Sequence, residues 1–95
     1  MTVYVDDYRV PARVGRLAAR WSHLTADTEA ELCAFAARLG LRAKWIQHPG
    51  TPIVHFDVTD AMRSKAIRLG ARPITMRESG DLIRARRARL AGGAR

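Results

Sequence analysis

The stretch IVHFDVTDAMRSKAIRLGARPITM, residues 53–76, decides the fold of this chain. Apolar and polar residues alternate over 53–58, which predicts a strand with one face in the core. Thr59 follows in the position of a helix N-cap, and Gly70 ends the helix as glycine often does. Residues 71–76 then predict another strand. A strand, a helix and a strand in this order indicate an α/β domain whose sheet contains some parallel pairs.

The same signals divide the rest of the chain. Thr28 and Glu31 form a capping box for a first helix, which ends at Gly40. Residues 20–26 alternate roughly and predict a strand, although a helix over 12–21 is an alternative. The predicted elements are strands at 2–5, 20–26, 41–47, 53–58 and 71–76, helices after Thr28, Thr59 and Ser79, a loop at 8–16 and a turn at 48–52. They predict an α/β fold, with α+β as the alternative: a small five-stranded mixed sheet with about three helices, in the order β β α β β α β α.

Length and composition fit a single domain. The 95 residues suffice for one domain with a thin core. We expect a compact α/β domain over 1–76, and a basic C-terminal helix and frayed tail over 77–95 that packs on this domain or extends from it. Because Cys33 is the only cysteine, an intrachain disulfide and a multi-thiolate metal site are excluded. The sequence contains no recognisable membrane span or signal peptide, so we expect a cytoplasmic protein with no membrane partner.

Positive charge is concentrated in the last third of the chain. Residues 1–60 hold seven basic and seven acidic residues, whereas residues 61–95 carry the whole net charge of +8. Such asymmetry favours nucleic acid or another polyphosphate as a partner. The alternative is an arginine-rich composition with no such partner, and the small size leaves a homodimer open. The arginines expected to hold phosphates are Arg84, Arg86, Arg87 and Arg89 of the last helix.

A set of histidines and carboxylates is the candidate site. His55 and Asp57 are two residues apart on a strand and therefore share one face. Ligands of α/β sheets usually bind where strands end; Asp6 and Asp7 follow the first strand, and His23 lies near the end of the second. We expect all five residues to be catalytic, and Asp6, His55 and Asp57 to hold a divalent ion, Mn²⁺, Mg²⁺ or Zn²⁺. Without a metal, a histidine oriented by a carboxylate acts as a general acid–base.

Residues near the turn at 48–52 are further candidates for ligand binding: Trp45, Gln47, His48 and Thr51. An exposed tryptophan stacks on nucleic-acid bases, although tryptophan is more typical of a core position. His48 precedes a proline, which is equally typical of an exposed loop without a role. The turn lacks the glycines and the lysine of a phosphate-binding P-loop, which excludes a P-loop NTPase. The chain also has no GxSxG motif, which excludes a hydrolase with that serine nucleophile.

Several blocks of sequence resemble one family. The blocks are MTVYVDD, SHLTADTEAELCAFAARLGL, WIQHPGTPIVHFD and AIRLGARPIT, and the family is a group of short bacterial and phage proteins catalogued only as a domain of unknown function. The resemblance covers about residues 1–76 and leaves the arginine-rich end largely outside. It implies no known activity, but it implies a shared set of polar residues: Asp6, Asp7, His23, Asp27, Trp45, Gln47, Gly50, Thr51, His55 and Asp57. Phe56 departs from the tyrosine of the family pattern, so no phenolic hydroxyl acts at that position.

Two functions fit these observations. The first is a small basic domain that binds or acts on a phosphate-containing ligand, nucleic acid or nucleotide, as a metal-dependent hydrolase with an Asp/His site at the strand ends. The alternative is a non-catalytic nucleic-acid-binding or protein-interaction accessory module whose polar cluster is structural. Stoichiometric metal in the purified protein would favour the first.

Overall fold

The computed structural model describes residues 2–93. The strands are β1 (Val3–Val5), β2 (Val10–Val14), β3 (Leu17–Ala26), β4 (Phe56–Thr59) and β5 (Arg72–Pro73). The helices are α1 (Glu29–Leu39), α2 (Asp60–Arg68) and α3 (Met76–Gly93), with a short 3₁₀ helix at Ala43–Trp45. Together they form a small α/β domain with a five-stranded mixed sheet and three α-helices, so the predicted fold class is confirmed.

The long strand β3 organises the sheet. Leu24 pairs with Val5 of β1 and also with Phe56 of β4, so β1 and β4 flank β3 on opposite sides. β2 pairs with the first half of β3 on the same side as β1. These three pairings are antiparallel, and β5 adds the parallel pair by lying beside β1. The predicted parallel pairing therefore occurs once, between the first and the last strand.

One face of the sheet carries the hydrophobic core. α1 and α2 both pack on β3 at this face. Each large apolar side chain withdrawn from water there stabilises the fold by roughly 1.5–3 kcal/mol. The fully buried members are Val5, Leu24, Leu32, Leu39, Phe56 and Val58. The alternation predicted for 53–58 is confirmed, since Val54, Phe56 and Val58 are buried. Phe56 thus faces the core rather than the polar face of the sheet.

The first two helices begin and end where the sequence predicts. The Thr28 hydroxyl accepts a hydrogen bond from the Glu31 amide at 3.2 Å and donates one to the Glu31 carboxylate at 3.0 Å. Gly40 closes α1 with a φ of 88°, a conformation that glycine adopts without strain. The Thr59 hydroxyl caps α2 by accepting from the Met62 amide at 3.2 Å. Both caps satisfy amides that would otherwise lack a partner.

The third helix partly covers the opposite face of the sheet, near His23 and Thr25. It begins at Met76 rather than after Ser79, because Thr75 forms a capping box with Glu78 four residues before Ser79. The carboxylate of Asp7 also accepts a hydrogen bond from the Met76 amide at 2.9 Å, which ties the start of α3 to the segment after β1. None of the helices in residues 2–93 is long and apolar enough to span a membrane.

The loop predicted at 8–16 is wrong, because this segment contains β2. Pro11 pairs with Arg20 where β2 lies at the sheet edge, and a missing amide is tolerated there. Val14 pairs with Leu17 around a two-residue loop in which Gly15 has a φ of 60°, as in a type II′ hairpin turn. The alternative helix over 12–21 is therefore also wrong.

The strand predicted at 41–47 is wrong as well. The 3₁₀ helix at Ala43–Trp45 occupies most of the segment, and only Gln47 forms a β-bridge, with His55. The following turn has positive φ angles at His48 (52°) and Gly50 (76°), which bend the chain before a longer ladder forms. Strand β4 consequently begins at Phe56, three residues later than predicted.

Candidate metal centre

Two histidines and an aspartate meet on the sheet face that α3 partly covers. His23 of β3 is the direct cross-strand partner of Asp57 of β4. His55 precedes Asp57 by two residues and therefore lies on the same face. One potential ligand atom from each of the three residues lies within 4.8 Å of the others. We refer to His23, His55 and Asp57 as the metal-ligand cluster. It lies on the face of β3 and β4, not beyond the strand ends as predicted.

The ring of His55 is held by two contacts. Its Nδ1 lies 2.7 Å from the carbonyl oxygen of Ile53, and its Nε2 lies 3.3 Å from Oδ1 of Asp57. Since a carbonyl only accepts hydrogen bonds, Nδ1 carries the proton in the neutral ring and Nε2 keeps its lone pair. Burial lowers the pKa of His55, but the hydrogen bonds to Asp57 and to the Ile53 carbonyl outweigh it and raise the pKa above its usual value. The same contact with His55 lowers the pKa of Asp57.

The ring of His23 is held by a buried carboxylate. Its Nδ1 lies 2.7 Å from Oδ2 of Asp6, a residue that is only 1% exposed. The other oxygen of Asp6 accepts from the amides of His23 (3.0 Å) and Tyr8 (3.2 Å). Burial raises the pKa of Asp6, but these hydrogen bonds outweigh it and the pKa is lowered overall. An ionised Asp6 makes Nδ1 of His23 the donor, which leaves Nε2 with its lone pair.

A break between β1 and β2 makes room for the Asp6 carboxylate. The chain leaves the edge of β3 after Asp6, whose amide still donates to the His23 carbonyl at 3.1 Å, and Arg9 adopts a φ of 47°. Side chains replace the missing ladder bonds: the Asp6 carboxylate accepts from the His23 amide, and the Ser22 hydroxyl accepts from the Arg9 amide at 3.1 Å. Arg9 also forms a bidentate pair with Asp60 at the start of α2. The backbone is thus shaped around the carboxylate that orients His23.

The cluster is accessible from one side. Tyr8 stacks on His23 with ring centroids 5.1 Å apart and is 47% exposed. The ring of His55 meets that of His23 edge-on at 4.8 Å, and the side chain of Asp57 is 48% exposed. The ring of His48 lies 6.0 Å from that of His55. A ligand can therefore approach Asp57, while the rings of Tyr8 and His55 contact His23 and leave 31% of its side chain exposed.

The donor set suits a transition metal ion. Two imidazole nitrogens and one carboxylate are typical ligands of Zn²⁺, Mn²⁺ and Fe²⁺, whereas Mg²⁺ prefers an all-oxygen shell. A carbonyl fixes the distal nitrogen of His55 and a carboxylate fixes that of His23, the arrangement that commonly surrounds metal-binding histidines. Asp6 differs from its predicted role: both of its oxygens are engaged with His23 and Tyr8, so it supports a ligand and is not one of the converging groups.

Other predicted site residues lie apart from the cluster. Asp7 binds the start of α3, as described above. Both oxygens of Asp27 are engaged, one by the Thr2 amide at 2.9 Å and the other by the Tyr4 hydroxyl at 2.8 Å. Asp27 therefore ties β1 to the end of β3 and caps no helix.

The residues near the turn at 48–52 contribute unequally. Trp45 is 49% exposed, so the alternative of a core position is wrong, and its predicted role in ligand binding stays a prediction. The side chain of Gln47 donates back to the Trp45 carbonyl at 3.3 Å. The Thr51 hydroxyl donates to the His48 carbonyl at 2.8 Å and stabilises its own turn. The Gly50 amide donates to the Glu29 carboxylate at 2.7 Å, which ties the turn to α1. The ring of His48 lies near the cluster, whereas Gln47 meets His55 only through backbone hydrogen bonds.

The arginines of α3 do not form one basic surface. Arg84 pairs with Asp81, while Arg87 and Arg89 are exposed. Arg86 is only 8% exposed and donates to the carbonyls of Pro52 and Ala26. Sequence reasoning missed this inward position, although a signal was present. Met76, Ser79, Ile83 and Arg86 follow one another at spacings of three or four residues, which places Arg86 on the inner face of the helix. No comparable sequence pattern predicts the contact of Tyr8 with His23 or that of Ser22 with the Arg9 amide.

Comparison with protein-family models matches residues 3–86 to the family described as "Protein of unknown function (DUF4031)". The match extends into α3 as far as Arg86, beyond the blocks of resemblance that end near residue 76. Neither the curated proteins nor the solved structures gave a match. Because the family model covers most of the chain, the chain belongs to the DUF4031 family.

Proposed function

We propose that this member of the DUF4031 family binds a divalent transition metal ion through His23, His55 and Asp57 and hydrolyses an ester of a phosphate-containing ligand. The convergence of three ligand atoms within 4.8 Å carries the proposal. Zn²⁺ and Mn²⁺ are the ions that best fit two imidazoles and a carboxylate. Three protein ligands leave coordination positions for water and substrate, as in catalytic zinc sites.

The chain prepares these three side chains before any ion binds. The Asp6 carboxylate and the Ile53 carbonyl fix the tautomers of His23 and His55, so both Nε2 atoms present lone pairs. Asp57 is held ionised by its contact with His55. The ligand atoms, now up to 4.8 Å apart, must draw closer around an ion, but the fixed orientations of both rings preorganise the site and raise affinity.

A divalent ion held by His23, His55 and Asp57 would supply a water molecule that ionises near neutral pH. That water would add to phosphorus as the ester P–O bond breaks, and the leaving alcohol would take up the released proton. Tyr8 restricts access of bulk water to His23, and the exposed side of Asp57 gives room for the ester. His48, close to His55 but outside the cluster, is placed to exchange a proton with the leaving group through water.

The ligand class rests on charge. The net charge of +8 favours association with anions. Arg63 of α2 donates through its Nε to the backbone carbonyl of Asp6, the residue that orients His23, at 2.8 Å. Phosphate-containing compounds, nucleotides and nucleic acids among them, match the positive charge of the chain.

Metal binding tests the proposal first. Metal-free protein is prepared with a chelator, and melting curves are recorded with Zn²⁺, Mn²⁺ or Mg²⁺. We expect Zn²⁺ or Mn²⁺ to bind at one equivalent and to stabilise the fold by about 2.7 kcal/mol at a hundredfold excess over the dissociation constant. His55→Ala and Asp57→Ala abolish this increment. His48→Ala is the matched control, because it removes an adjacent imidazole from outside the cluster.

Hydrolysis of bis(4-nitrophenyl) phosphate by the metal-loaded protein tests the proposed hydrolase activity. Turnover that the chelator stops and Asp57→Ala eliminates supports the hydrolase. Metal binding without turnover of phosphate esters overturns the hydrolase and leaves the metal centre. A folded protein whose melting curve ignores Zn²⁺ and Mn²⁺ overturns both. In that case, oligonucleotide binding whose affinity falls steeply with salt would favour the non-catalytic accessory module.

A further inference from the structure

A groove of about 170 Å³ runs between the sheet and α3 and opens onto the metal-ligand cluster. His23 and His55 line it on the sheet side. Ile53, Val54, Met76 and Ile83 give it largely apolar walls, and Arg86 also lines it. The groove therefore combines an apolar body, two imidazoles and a guanidinium.

Arg86 is a buried charge without an ionic partner. It is 8% exposed, and none of the ion pairs formed within residues 2–93 includes it. Asp27 is near enough to favour the charged form, but its oxygens are taken by Thr2 and Tyr4. Burial, with a smaller effect of Arg89, lowers the pKa of Arg86. Buried charges in proteins are normally paired, because an unpaired one keeps most of its desolvation cost.

Part of the guanidinium is also unused. One Nη donates to the Pro52 carbonyl at 3.2 Å and the other to the Ala26 carbonyl. A guanidinium has more N–H donors than these two contacts use. Nε has no partner among the described residues. Since no fully buried side-chain nitrogen or oxygen of these residues lacks a partner, this Nε keeps some contact with solvent. The side chain is fixed by two carbonyls and still has donors to offer.

We propose that the groove binds a small organic phosphate whose phosphate lies against Arg86 and whose apolar part lies between Ile53 and Ile83. The ligand supplies the counter-ion that the buried guanidinium lacks. This inference deepens the proposed function and rests on it for the reaction, because the groove leads to His23 and His55. It assigns Arg86 to substrate binding, a role separate from the exposed arginines of α3.

The geometry favours a small molecule with an apolar part. The cavity is bounded by α3 on one side and the sheet on the other, which leaves no room for a nucleic-acid duplex. Inorganic phosphate would satisfy Arg86 but leave the apolar walls in contact with water. Arginine recognises phosphate oxygens through its planar fork, and its charge-assisted hydrogen bonds strengthen when buried.

Binding of phenyl phosphate to the full chain in the presence of chelator tests the inference without the metal. Isothermal titration is run on the wild type, on Arg86→Met and on Arg87→Met, the matched control that removes an exposed charge from the neighbouring position. We expect phenyl phosphate to bind about tenfold or more tightly than inorganic phosphate. Arg86→Met weakens phenyl phosphate binding about tenfold or more, whereas Arg87→Met changes it less than about twofold.

Two further measurements test the inference even if Arg86→Met fails to fold. In the wild type, the NMR signal of Arg86 Nε–H shifts on addition of phenyl phosphate. Ile83→Phe fills the groove while keeping Arg86, and it prevents binding. A wild type that ignores phenyl phosphate overturns the inference, as does equal weakening by Arg87→Met or an unmoved Nε–H signal during binding. These outcomes leave the metal-binding test untouched, and loss of metal binding alone does not alter the anion measurement.

Discussion

Replacement of Asp6 by asparagine tests whether Asp6 positions His23, a proposed metal ligand, without binding the metal itself. The substitution keeps the size of the side chain but leaves it one acceptor and one donor in place of two acceptors. If the amide oxygen keeps the bonds from the backbone amides of His23 and Tyr8, the NH₂ group faces Nδ1 of His23. The imidazole must then place its proton on Nε2, the atom that faces the other ligands. Asp6→Asn is therefore expected to convert His23 into the wrong tautomer for metal binding.

The size of the effect follows from the contacts. Loss of a supporting partner of a metal-bound histidine typically costs about tenfold to hundredfold in affinity, or about 1.4–2.7 kcal/mol. The free energy of unfolding of the metal-free protein falls less, by about 1–2 kcal/mol, because the three charge-assisted bonds to Asp6 become neutral ones. Affinity for Zn²⁺ is measured by titration calorimetry, and the tautomer of His23 from the ¹⁵N chemical shifts of its ring.

Asp27→Asn is the matched control. Asp27 also has both oxygens engaged, by Thr2 and Tyr4, but it contacts none of the cluster's side chains. We expect it to lower stability without changing Zn²⁺ affinity. A folded Asp6→Asn variant that binds Zn²⁺ as the wild type does would refute the assignment of Asp6 as the residue that positions His23.

Three further predictions concern stability. In metal-free protein, His55 has a raised pKa, so its contribution is fully present below about pH 6.5 and is lost as pH rises through the folded pKa; urea unfolding across this range should show the slope, and His55→Gln should remove it. Phe56→Ala should cost about 3–5 kcal/mol in urea unfolding, because Phe56 is 1% exposed, while Zn²⁺ affinity of the folded fraction stays unchanged. Thr75→Ala removes the capping box with Glu78 and should cost about 1 kcal/mol, with faster hydrogen exchange in the first turn of α3 but not in α1.

Local signals predicted the parts of the fold that depend on neighbours in sequence. The capping box of Thr28 and Glu31 and the glycine at position 40 act over a few residues, so α1 was predicted with its bounds. Alternation over 53–58 likewise placed His55 and Asp57 on the face opposite Phe56. These features are independent of what the rest of the chain does.

Features that depend on distant partners were not predictable in this way. Pro11 reads as a strand breaker, and only the position of β2 at the edge of the sheet makes it harmless. The segment 41–47 has strand-like composition, but β4 pairs with β3 and only Gln47 meets a partner. The sequence predicted Asp6 as a metal ligand, whereas His23 takes that place in the cluster. This difference also depends on distant partners, because it arises from the gap between β1 and β2, which no local pattern marks.

Because His23 and Asp57 are cross-strand partners, the cluster forms only when β3 and β4 pair in this register. A slip of β4 by one residue would turn His55 and Asp57 into the hydrophobic interior and bring Phe56 to the outer surface. A one-residue drift of the register therefore cannot preserve the core and lose the cluster, or the reverse. If the cluster binds Zn²⁺ as proposed, Zn²⁺-dependent melting sorts a library of redesigned cores, because a variant that retains the response has kept its strands aligned.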